Sequence, residues 1–176
     1  MGLIGLMFVG AVLFVNGLFV LGKADPRGTM VFNFLVGALI AVLVIPASVI
    51  TFSDPATRTI PADNFQFWST AGSLLFSFTY FMVGGNILSG GDGRAVGWYC
   101  LWVSLVALPT GAITWLWLGD WRFALIWWAW AWLWFMFFLL MGLQIARVGR
   151  FTGWLTLVNA FVTCTIPAYL VLINRW

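Results

Sequence analysis

The chain has 176 residues, of which 63% are hydrophobic and 7% charged, and its formal net charge is +3. A water-soluble domain carries about 25% charged residues, so most of this surface faces something other than water. That excludes a soluble enzyme or a nucleic-acid-binding domain and points to an integral membrane protein. Backbone groups in lipid must be satisfied within the protein, which leaves helices or a closed barrel. Barrel strands alternate in polarity over about ten residues. Here the apolar runs are continuous and about twenty residues long, the length that spans a bilayer as a helix.

In chain order the sequence predicts six spanning helices, at about 3–21, 30–51, 66–88, 96–117, 121–144 and 152–173. The first lacks a basic leader and an A-x-A-like cleavage site, so it reads as a membrane helix, not a removed signal. The breaks are rich in proline, glycine and aspartate, as turns require: 22–29, 52–64, 89–94, 118–120 and 145–151. None can hold a soluble domain, so residues 1–176 read as one transmembrane domain, an all-α bundle. Odd-numbered breaks carry Lys23, Arg27, Arg94, Arg147 and Arg150. The even breaks and the last residues carry Arg58, Arg122 and Arg175. Five cations against three put the odd breaks in the cytoplasm and both termini outside.

A weak repeat runs through the chain. Pro46, Pro109 and Pro167 lie at similar depths in helices 2, 4 and 6, and Asn16, Asn86 and Gln144 near the cytoplasmic ends of helices 1, 3 and 5. This spacing reads as three helical hairpins of about 60 residues.

All charged residues fall in breaks or at helix ends, and glutamate and histidine are absent. A proton-coupled transporter needs a titratable group within the membrane, and ion channels show charged rings or carbonyl filters. Metal ligation and acid–base catalysis lack side chains as well, so neither a cofactor nor an enzymatic activity is expected. Cys100 and Cys164 lie inside apolar runs and read as small buried hydrophobes. What remains is passive passage of a neutral solute, or a structural role.

The stretch from Asp120 to Phe138 holds six tryptophans, each with an indole N–H that needs a partner. On a helix of 3.6 residues per turn, Phe123, Trp127, Trp130 and Trp134 share one face. Trp121 sits at the outer boundary, where an aromatic belt forms, and Trp128 and Trp132 point elsewhere. Helix 3 offers Phe76 and Tyr80 at i, i+4 spacing. Opposed aromatic faces form a flat slot that a planar amide could enter; the same residues could equally fill the bundle. Asn16, Asn33, Asn86, Gln144 and Asn159 fall in the cytoplasmic third under this topology. Such amides both donate and accept, which suits an uncharged hydrogen-bonding solute, but each could also tie helices together.

The runs F-V-G-A-V-L-F-V-N-G-L-F-V-L-G-K-A-D-P-R-G-T-M-V-F-N-F-L-V-G-A-L (8–39), L-L-F-S-F-T-Y (74–80), I-W-W-A-W-A-W-L-W (126–134), F-T-G-W-L (151–155) and I-P-A-Y-L (166–170) together resemble the AmiS/UreI family of urea and short-chain amide channels. The resemblance covers nearly the whole chain in the same order. It implies a six-helix protomer of three hairpins, a homohexamer in the bacterial inner membrane, and a pore in each protomer. It implies passive conduction of urea or small amides towards a cytoplasmic urease or amidase. By position in the matching motifs, a pore-lining role carries over to Leu6, Leu13, Phe76, Tyr80, Trp127, Trp130 and Trp134, and less securely to Phe123, because the spacing near Asp120 differs by one residue.

Two departures shape the expectation. Acid-gated urea channels of the family have a histidine-rich outer surface, and this chain has no histidine. Unperturbed carboxylates titrate near 4 and Lys and Arg above 10, so conductance is predicted to be flat between pH 5 and 8. Asn159 stands where the urea channels carry a glutamate in helix 6, which leans the expected solute towards short aliphatic amides of the acetamide type. A coupled amide transporter and a non-transporting membrane partner protein are the rival readings.

Overall fold

Turn chemistry decides where the helices begin and end. The computed structural model describes residues 2–53 and 62–176, with side chains for 4–46 and 68–176. Most of the 52–64 break, with Arg58, lies outside the described residues. Helix α1 runs Gly2–Val20, α2 Pro26–Ser53, α3 Ala62–Ser89, α4 Arg94–Leu118 and α5 Trp121–Phe137. Asp25 caps α2: its Oδ1 accepts from the Gly28 N–H at 2.7 Å, and Pro26 follows at the first helical position. Asp120 caps α5 in the same way, accepting from the Phe123 N–H at 2.9 Å. Between α4 and α5, Gly119 adopts φ 69, which lets its N–H reach Trp115 O and that of Asp120 reach Thr114 O. This glycine-ended turn satisfies the last carbonyls of α4.

The last two helices contain extra-wide turns. α5 continues into a π turn at Phe138–Gly142, and α6 (Gly149–Asn159) passes through a π turn at Ala160–Thr165 into α7 (Ile166–Leu172). Pro167 lies at the start of α7 and lacks the N–H that would continue an ordinary ladder. The π turn is the local solution, and it keeps α6 and α7 one continuous rod. Among the described residues, five helices are long and apolar enough to cross a membrane, and α1 supplies a shorter apolar helix, Ile4–Val20. The protein is therefore a multi-pass, all-helical membrane protein.

The most extensive helix pairings are α2 with α3, α4 with α5, and α1 with the α6–α7 rod. The pairs joined at the basic breaks, such as α1 with α2 and α3 with α4, touch less. The tightest neighbours are thus offset by one helix from the hairpins that the proline and amide spacing suggests. Small residues cause this, because without a hydrophobic force between helices they pack where backbones can approach closely. A Cβ on Gly97 of α4 would land on the Gly142 backbone at the end of α5. A Cβ on Gly17 of α1 would sit 2.9 Å from Leu157 and 3.0 Å from the Gly153 carbonyl. Buried hydroxyls add one bond to each of two pairings: Ser77 Oγ donates to Gly37 O across α2–α3 and Ser104 Oγ to Ala131 O across α4–α5, both at 2.8 Å. Each such bond contributes about 0.6 kcal/mol in a membrane bundle.

Candidate functional site

The aromatic face of α5 turns inward as its spacing predicts. Trp127, Trp130 and Trp134 are buried, Trp130 almost completely at 1% exposure, and Phe123 is half-buried near the start of α5. Trp121 and Trp132 are exposed on the outside of the bundle. Trp128 packs on α4: its indole N–H donates to Leu108 O at 3.1 Å and its ring meets Trp115 edge-on, with centroids 6.0 Å apart. Gly111 leaves the room for that indole.

Phe76 of α3 stands at the centre of the cluster. Its ring centroid lies 4.7 Å from Trp130, edge-on at 78°, and 4.7 Å from Trp134. Trp127 and Tyr80 lie at 6.1 and 6.5 Å from the same ring. These separations fall within the range of direct ring contact. Leu6 and Leu13 are buried on α1, and Leu13 borders the same space.

The polar atoms around the cluster are unevenly satisfied. The Trp130 N–H donates to Thr163 Oγ1 at 2.8 Å, and Thr163 donates back to Asn159 O at 2.6 Å. Thr163 lies in the second π turn. Asn159 Nδ2 donates to Leu155 O at 2.9 Å, but among the described residues its Oδ1 has no partner, and neither has the Tyr80 hydroxyl. Both atoms are sealed from solvent. A buried polar group without a partner costs about 1–3 kcal/mol, so two of them beside one aromatic cluster mark a place where a hydrogen-bonding guest would be stabilised.

A cavity of about 90 Å³ opens on the basic-end side of the cluster, several times the ~10–15 Å³ that one water needs on the same measure. Phe76, Tyr80, Trp130 and Trp134 form its floor; Phe19, Ile87 and Met141 stand near its mouth. Among the described residues its polar lining is Asn16, Thr79, Tyr80 and Asn86, and no Asp, Glu, Lys or Arg lines it.

The five amides singled out by sequence separate into different roles. Asn33 is fully buried and bonds Asn16 in both directions, at 3.0 and 2.6 Å, while also donating to Thr29 O. It ties α1 to α2. Gln144 is exposed, holds φ 57, and binds the carbonyls of Asp92 and Met141. It joins the end of α5 to the 90–93 turn. Asn16 and Asn86 line the cavity, and Asn159 lies in the α6–α7 rod beside Thr163.

Two functional candidates escape a reading of the sequence. Thr163 orients Trp130, and its only advance signal is a polar residue at i+4 from Asn159. Trp176 lies at the opposite end: its N–H donates to Asp120 Oδ2 at 3.1 Å, and its ring meets Phe123 edge-on at 6.4 Å. It extends the column of Trp134, Trp130, Trp127 and Phe123 towards the C-terminal end of the bundle, and no periodicity links it to α5. Outside the spans, Asp92 accepts from Arg94 Nε at 2.7 Å, and this hydrogen bond holds its carboxyl below the ordinary carboxylate range.

Comparison with known proteins agrees with this architecture. Residues 1–175 match the AmiS/UreI family transporter. A provisionally named transporter protein AmiS2 of Rhodococcus erythropolis is 40% identical over 178 residues, covering 100% of this chain and 81% of that protein. The acid-activated urea channel of Helicobacter pylori strain J99 is 35% identical, covering 97% of each chain. The crystal structure of the H. pylori urea channel superposes with a TM-score of 0.86 at 34% identity, covering 100% of this chain and 99% of that one. Six apolar helices around a buried aromatic column, together with these relatives, place the chain among transport proteins and not enzymes: it belongs to the AmiS/UreI family of transporters.

Proposed function

We propose that the protein is a passive channel for small neutral amides, urea or short aliphatic amides such as acetamide. The observation that carries this reading is a buried aromatic cluster closing a cavity whose polar lining is wholly uncharged. A planar neutral solute sheds water, enters between the rings, and recovers hydrogen bonds from indole, phenol and amide groups. Binding stays weak enough for the solute to leave again. Stacking a planar guest between two rings needs about 7 Å, two van der Waals spacings. Phe76 stands 4.7 Å from Trp134, so passage requires the Phe76 ring to turn aside. In this reading Leu6 and Leu13 wall the slot opposite the aromatics, Phe123 forms its outer end, and Asn159 Oδ1 accepts from the passing N–H.

Flux is pH-independent between 5 and 8. Asp92, whose carboxyl is held low by Arg94, loses its charge only as pH falls below the ordinary carboxylate range, outside that window. The excess of basic residues at the cavity end favours the cytoplasmic side of the inner membrane for that end, with both termini outside. Three hairpins in each protomer, six protomers in the assembly and a cytoplasmic amidase or urease downstream are the arrangement that the family resemblance implies.

The test is stopped-flow uptake of urea, acetamide, formamide and glycerol into proteoliposomes at pH 5 and pH 8. Urea and the amides equilibrate faster than glycerol, with the same rate at both pH values. Accumulation against a gradient would make the protein a coupled transporter, and absence of all flux a non-transporting partner. A rate that changes between the two pH values would overturn the ungated mechanism.

A further inference from the structure

We propose that Asn86 and Asn16 form a solute-recognition station in the cavity, with the Asn86 side-chain N–H the donor to the carbonyl oxygen of a primary amide or urea. The proposal rests on the channel reading and assigns it a second site, separate from the aromatic cluster. Asn86 sits near the end of α3, and its two side-chain atoms are used very differently. Oδ1 accepts from the Gly93 N–H at 3.0 Å and holds the 90–93 turn. Nδ2, a two-proton donor, makes no hydrogen bond among the described residues, yet Asn86 lines the cavity. The turn uses the oxygen and leaves the nitrogen of this half-buried side chain open to water or a solute.

Asn16 lines the same cavity from α1. Its reciprocal pair with Asn33 fixes the plane of its amide. One N–H and one lone pair on Asn16 remain outside that pair. An amide clamped edge-to-edge against another amide is preorganised, so a guest that binds its outer edge loses little side-chain entropy to it. Thr79, also on the wall, gives its proton to Leu75 O at 2.7 Å and can therefore only accept. Unpartnered Tyr80 OH closes the floor. The cavity thus combines a free donor on Asn86, a free donor and acceptor on Asn16, and an acceptor on Thr79. That set matches the carbonyl and N–H groups of an amide. It gives a cation no carboxylate and an anion no positive charge.

Asn86→Asp isolates the donor. It keeps an oxygen for the Gly93 N–H and replaces the free N–H with an acceptor. In proteoliposomes at pH 7.5, acetamide and urea permeability fall about tenfold, the scale of one lost hydrogen bond. At pH 4, close to the ordinary aspartate value of about 3.9, roughly half of the carboxyls are protonated, the donor returns in that fraction, and permeability partly recovers. Wild-type vesicles at pH 4 control for the Asp92–Arg94 pair in the adjoining turn. Asn86→Gln keeps both groups but moves them by one methylene, and it changes the urea-to-acetamide permeability ratio. Either variant behaving like wild type, or an Asn86→Asp loss that persists at pH 4, would reduce Asn86 to a turn-holding residue. A wild-type protein impermeable to every amide would overturn the channel reading, and the station with it.

Discussion

The two halves of the space between the helices are lined differently. Towards the Trp176 end, rings touch rings: Phe123, Trp127, Trp130 and Phe76 lie within 6.5 Å of one another in a chain of mostly edge-on contacts. Towards the basic end, the wall draws back and amides and hydroxyls appear on it. In the proposed channel the first half discriminates by shape and by the cost of desolvation, because aromatic surface offers little to a hydrated ion. In the same proposal the second half discriminates by hydrogen bonds. Phe76, Tyr80, Trp130 and Trp134 belong to both, lying in the ring cluster and on the cavity floor, and Trp130 and Tyr80 carry the polar groups through which the comparison can be broken.

Trp130→Ala gives the largest effect. It removes the most buried indole of the cluster, its 4.7 Å contact with Phe76 and its bond to Thr163. The cavity then runs into the ring-lined half, and the distinction between the halves disappears. Glycerol permeability rises by about tenfold or more, since the lost contacts amount to at least one to two kcal/mol, and the urea-to-glycerol ratio falls towards one. Stopped-flow uptake of both solutes measures this directly. An unchanged ratio would mean that the rings pack the bundle without selecting.

Tyr80→Phe is smaller and of a different kind. The hydroxyl lacks a partner in a buried site, so removing it leaves thermal stability unchanged or slightly raised. Amide and urea permeability nevertheless fall by about fivefold, because the guest loses a hydrogen bond worth about 1 kcal/mol. Thermal unfolding in detergent and flux in vesicles together separate the two effects. A loss of stability equal to the loss of flux would assign the hydroxyl to the fold.

What could be read in advance follows the strength of the physical constraint. Lipid forces spanning segments to be long, apolar and helical, so hydropathy found six rods and Pro, Gly and Asp found the turns. A straight helix forces a 3.6-residue period, so spacing alone puts Phe123, Trp127, Trp130 and Trp134 on one face. The π turns obey neither rule. At Phe138–Gly142 and Ala160–Thr165 an extra residue enters the turn, and side chains beyond it rotate away from the face that periodicity assigns them. Helix neighbours were equally hidden, because the Gly97–Gly142 approach joins positions far apart in sequence with no apolar stripe to announce it. The amides looked alike as residue types, but burial and partners separated Asn33 and Gln144 from Asn16 and Asn86. Trp176 meets Phe123 and Asp120 across the fold, which no local pattern encodes.

Trp132→Ala should do least, and that makes it the sharpest control on the comparison. Trp132 lies between Trp130 and Trp134 in the sequence and has the same chemistry, but it is 51% exposed on the outer surface of the bundle. Its nearest aromatic neighbour is Phe135, with centroids 5.8 Å apart, and it borders neither the cluster around Phe76 nor the cavity. If composition alone made this helix selective, any of its tryptophans would matter, and Trp132→Ala would shift the urea-to-glycerol ratio as Trp130→Ala does. If selectivity belongs to the inward face, the ratio and the absolute permeability stay within about twofold of wild type, the range of a surface substitution. Its effect, if any, appears in how the protein meets lipid or a neighbouring protomer, read as a change in particle size after extraction. A selectivity change as large as that of Trp130→Ala would place the pore on the wrong side of α5.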